Sequence, residues 1–291
     1  MTSWIKTFSK TFSESIMKPL FKWTGSKQRM AAQYANCFFP NKVTKFIDLF
    51  AGGLTNTLWV AERYPDAELV INDFNSELIA LYKDLASDVD GVIENWRECV
   101  RFWVENTDHE TRKSYYYSLR ELYCHDYEGR SSQELSGVLL FMLSVNFNGI
   151  WKAYKKCNLR YSTPPGTCTQ KEGFFNEDNI REVANVLSRA TIISKSFEEV
   201  ECGTGSFVYA DPPYRDCIVE YQGGFTEEMQ VALAEKLMGH IGHFAYSNKD
   251  IGDGFYKQHF EGAIITPCSA VYTAGRGKHT HNVQEVLITN F

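Results

Sequence analysis

One run, Phe46-Ile47-Asp48-Leu49-Phe50-Ala51-Gly52-Gly53, constrains this chain more than any other. An apolar stretch closed by paired glycines predicts a buried strand over 45–50. It ends in a tight turn and passes into a helix over 55–63. A second strand at 68–71 and a helix at 76–85 complete a strand–helix–strand unit. The alternation returns late in the chain, with strands expected at 191–194, 206–210, 244–246, 263–266 and 283–288. Among them lies a helix over 226–238, with Thr226 as its N-cap and Glu227 and Glu228 in its first turn. This is the pattern of an open α/β sheet with mainly parallel strands.

Residues 86–189 break the alternation with aromatic-rich helical stretches, including Trp96, Phe102, Trp103 and Tyr115 to Tyr117, and then an irregular, Gly- and Pro-containing region over 146–175. The expected organisation is therefore an irregular arm (1–18), a first part of the sheet domain (19–85), an inserted helical domain (86–189) and a second part of the sheet domain (190–291). The arm lacks an apolar signal core and contains no Arg, so it does not read as a leader. The longest apolar candidate, 137–145, is too short to span a membrane and predicts a buried helix segment. The eight cysteines form no CxxC pair, which excludes a zinc knuckle or a disulfide framework and leaves no metal site. Reduced cysteines fit a cytoplasmic protein. Nothing in the sequence sets an oligomeric state.

A net charge of −6 argues against nonspecific attraction to polyanions, but its distribution is uneven. Lys152, Lys155, Lys156 and Arg160 are interleaved with Trp151, Tyr154 and Tyr161, and a second basic group holds Arg276, Lys278, His279 and His281. Such clusters are often merely solvated faces. They also match the footprint of a nucleic-acid contact.

Two constellations carry chemistry. In an open α/β sheet, a glycine turn at a strand end is where a nucleotide-like ligand binds. Asp73 follows Gly53 by twenty residues, at the next strand end, where a carboxylate can accept hydrogen bonds from ribose hydroxyls. The GxGxxG fingerprint is absent, which counts against NAD. The second constellation is Phe207-Val208-Tyr209-Ala210-Asp211-Pro212-Pro213-Tyr214. Its prolines stiffen the backbone and donate no N–H. The Asp211 carboxylate and a carbonyl, expected to be that of Pro212, form a rigid pair of acceptors. They suit the two hydrogens of an aromatic amine, on which Tyr214 can stack. Such a site activates a weak amine toward an electrophilic methyl group by positioning and electrostatics.

FIDLFAGG (46–53), INDFN (71–75) and ADPPY (210–214), in that order, resemble the DNA adenine-N6 methyltransferases of the Dam type, the DPPY class. Pro19 to Lys27 is similar to that family's N-terminal cofactor motif. The resemblance implies a Rossmann-like, S-adenosylmethionine-dependent methyltransferase sheet with an inserted helical target-recognition domain. It assigns Trp23, Lys27, Asp48, Phe50, Gly52 and Gly53 to the cofactor, with Asp73, Phe74, Phe197 and Asp211. It makes Asp211, Pro212, Pro213 and Tyr214 the catalytic segment. Phe225-Thr226 resembles a loop flanking the target-base pocket, while Ser196 stands where relatives carry an acid near the cofactor adenine. Phe244 to Asn248 and Glu285 to Asn290 are similar to late family strands, for which plain sheet structure is the expected role.

Asn146 to Asn158 and Pro164-Pro165-Gly166 resemble the family's recognition segment, which implies DNA contacts from Asn148, Lys152, Tyr154, Lys155, Lys156, Asn158 and Arg160. Lys152 stands where GATC-methylating relatives carry Arg, and Lys cannot form the same bidentate fork on guanine. The implied substrate is double-stranded DNA at GATC-like sites, with the adenine rotated out of the stack. Cytosine-N4 methylation remains open because both amines satisfy the same acceptors. A noncatalytic DNA-binding module descended from such an enzyme is the other alternative. RNA or protein-glutamine methylation would leave the large inserted domain unexplained.

Overall fold

The computed structural model describes residues 17–35, 37–153, 159–215, 224–272 and 281–291. The paired glycines do what their spacing predicts: β1 (Lys45–Asp48) leads through a turn into α2 (Thr55–Arg63), after a short α1 (Ala31–Tyr34). Then come β2 (Glu68–Asn72) and α3 (Ser76–Ser87), whose N-cap Asn75 accepts from the Leu78 N–H. Four further helices follow: α4 (Val89–Glu105), α5 (His109–Cys124), α6 (Ser132–Val145) and α7 (Glu177–Ser188). The chain ends with β3 (Ala190–Ile193), β4 (Phe207–Ala210), α8 (Glu227–Met238), β5 (His243–Lys249), α9 (Phe255–His259), β6 (Ile264–Tyr272) and β7 (His281–Thr289). Thr226 caps α8 as expected, accepting from the Met229 N–H.

The seven strands form one sheet in the order β3-β2-β1-β4-β5-β7-β6. The first five pair in parallel, and β7 joins β5 and β6 antiparallel. The order reverses direction between β1 and β4, which puts the crevice of a doubly wound sheet at the carboxyl ends of those two strands.

Alternate residues of the central strands feed two apolar clusters. Phe46, Leu69, Phe207 and Tyr209 face the side covered by α1, α2 and the helices α3 to α7. Ile47, Val70, Val208 and Ala210 face the side covered by α8 and α9. Burial on both faces is what makes β1 and β4 read as unbroken apolar runs. The helices α4 to α6 share one continuous cluster with the sheet, and α6 is the buried segment expected around 137–145. It lies so close to α4 that a Cβ on Gly137 would sit 2.8 Å from Trp96 N and Val92 O.

Strand β1 ends two residues earlier than expected, because Phe50 to Gly53 leave the ladder to make the turn. Strands β6 and β7 are longer than expected. Their outer halves carry Ser, Asn and Gln, which hid an antiparallel ribbon held mainly by backbone pairing. Residues 1–16 of the arm lie outside the described residues. Lys18 is tied to α7 by two bonds of 2.9 Å with the Asn179 side chain. Among the described residues, no helix is long and apolar enough to cross a membrane.

Gly137→Ala tests the α4–α6 contact. Alanine gains helix propensity, but its methyl meets backbone that cannot yield without separating the helices. A net loss of about 1–2 kcal/mol is expected by urea unfolding; an unchanged or higher midpoint would show that the helices part freely.

Candidate active site

The turn after β1 is shaped by an approaching tryptophan. Gly52 has φ +45°, and a Cβ there would lie 2.7 Å from Trp23 Nε1; one on Gly53 would lie 2.7 Å from Trp23 Cβ. Only residues without side chains let the indole lie on this turn. The Gly52 peptide is held from both ends, its N–H donating to Asp73 Oδ2 at 2.8 Å and its carbonyl accepting from the Tyr82 hydroxyl. Asp73 Oδ1 accepts from the Asn75 N–H at 2.9 Å. Burial pushes the Asp73 carboxyl up, and these two N–H groups pull it back.

Turn, strand ends and N-terminal segment enclose a cavity of about 480 Å³. Trp23, Lys27, Phe50, Gly52, Gly53, Asp73, Phe74, Phe197 and Asp211 all line it, together with Pro212, Pro213 and Tyr214. Phe50, Phe197 and Phe225 form an aromatic triad on one wall, with ring centres 5.5–5.8 Å apart. Phe74 lies at the rim, 60% exposed. Asp48 is set apart from these residues. It lies beneath the turn, where Oδ2 accepts from the Thr57 hydroxyl at 2.7 Å, and burial raises its carboxyl to about 7. Ser196 caps the turn at Phe197–Glu199 in a capping box with Glu199, so its hydroxyl serves the local backbone.

Lys27 was expected on the cofactor side, and the structure ties it to the DPPY turn. Its buried Nζ donates to Asp211 Oδ1 at 2.7 Å, to the Tyr214 hydroxyl at 2.5 Å and to Gly25 O at 3.2 Å. It also stands 4.7 Å from the Tyr214 ring centre. Asp211 Oδ1 accepts a second bond from Ser247 Oγ at 2.8 Å, and Ser247 is bonded in turn to the Tyr209 hydroxyl at 2.7 Å. Both bonds arrive at Oδ1, which leaves Oδ2 for a ligand. Burial pushes the Asp211 carboxyl up, and Lys27 draws it back down.

Sequence reasoning missed the groups that hold the DPPY turn. Gln230 Nε2 donates to the Pro213 carbonyl at 2.9 Å, and Gln230 Oε1 accepts from the Tyr246 hydroxyl at 3.0 Å. Asn248 Oδ1 accepts from the Arg215 N–H at 3.1 Å. The Arg215 guanidinium pairs with Glu227 and Asp253 at 2.6 Å each. Glu285, buried on β7, lies 3.9 Å from Lys27 Nζ. The only sequence signal for these residues was polar side chains inside apolar strands, at Ser247, Asn248 and Glu285.

The 146–152 loop docks on the segment from Lys22 to Thr24. Asn146 Oδ1 accepts from the Gly149 N–H at 3.0 Å, closing a turn in which Asn148 and Gly149 both have positive φ. Thr24 N donates to Gly149 O at 2.9 Å, and a Cβ on Gly149 would collide with the Lys22 carbonyl. Trp151 is buried on the cavity wall, 6.3 Å from the Trp23 ring. Lys152 is exposed, while its carbonyl is pinned by the Ser162 N–H at 2.8 Å. Arg160 turns inward, pairing with Glu77 at 3.3 Å and lying over the rings of Tyr123 and Tyr127 at 4.6 and 4.3 Å. Tyr154, Lys155, Lys156 and Asn158 lie outside the described residues, as do Arg276, Lys278, His279 and the side chain of His281.

The family model of D12 class N6 adenine-specific DNA methyltransferases matches residues 23–251. The chain is similar to a Type II methyltransferase of Methanocaldococcus jannaschii, with 26% identity over 94% of this chain and 99% of that protein. It is also similar to a Type II methyltransferase of Lactococcus lactis subsp. cremoris, with 28% identity over 94% of this chain and 96% of that one. With a DNA adenine methylase of Haemophilus influenzae it shares 30% identity over 68% of this chain and 64% of that protein.

The buried Asp48 makes stability depend on pH. Its folded carboxyl titrates near 7 against about 4 when unfolded, so the folded state binds the proton more tightly. Its contribution is complete below pH 4 and is lost as pH rises through 7. Urea unfolding of Asp48→Asn from pH 5 to 8 should show a shallower fall in stability than the parent. Asp73 and Asp211, raised in the same direction, keep some slope. An unchanged slope would place the titration elsewhere.

Proposed function

The chain belongs to the D12 class N6 adenine-specific DNA methyltransferases, and from that membership we propose how its cavity binds its two substrates. The residues fit S-adenosylmethionine. Trp23 lies on a glycine turn that no Cβ could share, Asp73 presents a carboxylate at the neighbouring strand end, and Phe50, Phe197 and Phe225 offer an apolar wall. Bound there, the cofactor supplies an electrophilic methyl group.

The carrying observation is the Asp211 carboxylate at the end of β4, bonded by Lys27 and Ser247 through Oδ1. Asp211 Oδ2 and the Pro212 carbonyl receive the two N–H bonds of adenine N6, which orients its nitrogen toward the methyl group. Tyr214 stacks on the base, with its hydroxyl held by Lys27. Lys27 and Ser247 fix Asp211 through Oδ1, so the carboxylate is preorganised. The methylated amine is a strongly acidic ammonium and sheds its proton readily. Asp211 therefore acts first as an orienting acceptor. This intact constellation favours a catalyst over a binding module.

The substrate in this reading is double-stranded DNA. The target adenine leaves the stack at a cost of a few kcal/mol, which stacking and hydrogen bonds in the pocket offset. Residues 86–189 form the target-recognition domain. Asn148 and Lys152 reach the DNA from the docked loop, with Tyr154, Lys155, Lys156 and Asn158 continuing the contact. Arg160, paired with Glu77 and lying over Tyr123 and Tyr127, keeps part of its side chain exposed for the same contact. GATC-like sites are the sequences to try first.

Asp211→Ala should lower methyl transfer by about 10²–10³-fold or more while the protein stays folded. Mass spectrometry of nucleosides from treated DNA should show N6-methyladenine with the parent enzyme alone. Parental turnover in the variant would remove Asp211 from this role. Lys152→Ala should weaken DNA binding about tenfold without altering cofactor affinity; a cofactor defect would place Lys152 at the cavity instead.

A further inference from the structure

Three buried polar side chains on α8 and β5 form one line behind the DPPY turn. Gln230 is 1% exposed, and Tyr246 and Asn248 are shut off from solvent. Apolar residues of similar size would fill these positions without the desolvation that an amide or a hydroxyl incurs. Their bonds run in one direction. The Arg215 N–H donates to Asn248 Oδ1 at 3.1 Å, and the Lys249 N–H donates to the same oxygen at 2.8 Å. Both backbone donors face Oδ1, so Asn248 Nδ2 points the other way and donates to the Tyr246 hydroxyl at 2.7 Å. The hydroxyl proton is thereby turned toward Gln230 Oε1 at 3.0 Å, and Gln230 Nε2 faces the Pro213 carbonyl at 2.9 Å. The circuit starts at a peptide N–H and ends at a peptide carbonyl, so it closes only in this sense.

Those two ends belong to the peptide planes on either side of the Tyr214 Cα. A residue whose flanking planes are both held has its φ and ψ set, and with them the direction in which its side chain leaves the backbone. The far end of Tyr214 is held separately, by Lys27 at the hydroxyl. We propose that Tyr246 is a positioning residue for methyl transfer. Its hydroxyl joins the Gln230 and Asn248 anchors into one circuit that aims the Tyr214 ring at the target base. This assignment rests on the stacking role given to Tyr214 above.

Tyr246→Phe removes a single oxygen from the middle of the circuit. The variant should stay folded, because Asn248 Nδ2 already stands 3.4 Å from Gln230 Oε1 and substitutes weakly for the lost link. On a duplex that the parent methylates, kcat should fall about tenfold, with KM for DNA and affinity for S-adenosylhomocysteine kept within about twofold. Gln230→Met matches the length but makes neither bond, and should lower kcat at least as much. The two substitutions together should cost no more than the larger single one, because a circuit broken once is already broken. Fluorescence separates aim from folding. With 2-aminopurine in place of the target adenine, stacking on Tyr214 should quench emission in the parent complex, and the Tyr246→Phe complex should emit more brightly. Parental kcat or parental emission in Tyr246→Phe would overturn the proposal, even beside a lower urea midpoint, because the network would then serve stability alone. So would losses that multiply in the double variant, which would reveal two independent anchors, or an equal loss of cofactor affinity, which would mark general loosening. A parent that transfers no methyl to adenine would instead sink the adenine reading and take this inference with it.

Discussion

Taking an ammonium and a carboxylate out of water costs several kcal/mol per ion, and the cost is recovered only where geometry and extra hydrogen bonds are good. Lys27 and Asp211 meet that requirement across 184 residues of sequence. Lys27 is shut off from solvent, and its ammonium is surrounded by the Asp211 carboxylate, the Tyr214 hydroxyl, a backbone carbonyl and, farther off, Glu285. The pair ties the segment before the sheet to the end of its central strand β4. Trp23 lies four residues before Lys27 and so is held over the glycine turn, which closes the cavity. Breaking the pair would leave a buried ammonium short of its carboxylate and loosen the link between Trp23 and the end of β4.

What was legible in the sequence followed from local backbone demands. The turn at Gly52-Gly53, the bounds of α2 and the cap at Thr226 are set by residues adjacent in the chain, so spacing alone exposed them. The same holds for β1 and β4, whose two buried faces leave no polar interruption. The family likeness then placed residues that no local rule could join, such as Trp23 and Asp211 on one cavity. Groups that act across elements stayed hidden. Gln230 is one polar residue in an ordinary amphipathic helix, and only the approach of Pro213 gives it meaning. Arg160 looked like one more cation of a basic loop until Glu77, Tyr123 and Tyr127 surrounded it. Asp48 shared a motif with the cavity residues, yet strand alternation turned its side chain beneath the turn.

The DPPY turn shows how a rigid site is built without regular structure. Two prolines remove donors but leave their carbonyls in need of partners. One carbonyl is satisfied from α8 by Gln230, and the next backbone N–H beyond Tyr214 is satisfied from β5 by Asn248. Tyr214 therefore sits between two anchored neighbours. Arg215 adds an outer brace to Glu227 and Asp253 and packs 3.9 Å from the Phe255 ring centre. Precision at the DPPY turn thus depends on the side of the sheet opposite α3 to α7.

The docking of Gly149 on Lys22 to Thr24 bears on how such a protein can diversify. The seam has no room for a side chain and is fixed by a backbone bond from Thr24. The 146–150 turn therefore cannot be redrawn without also shifting the tryptophan beside it. Lys152, whose carbonyl accepts from the Ser162 N–H, is exposed and carries no such obligation. A side chain can therefore change at Lys152 without meeting that seam, whereas one added at Gly149 would be felt there.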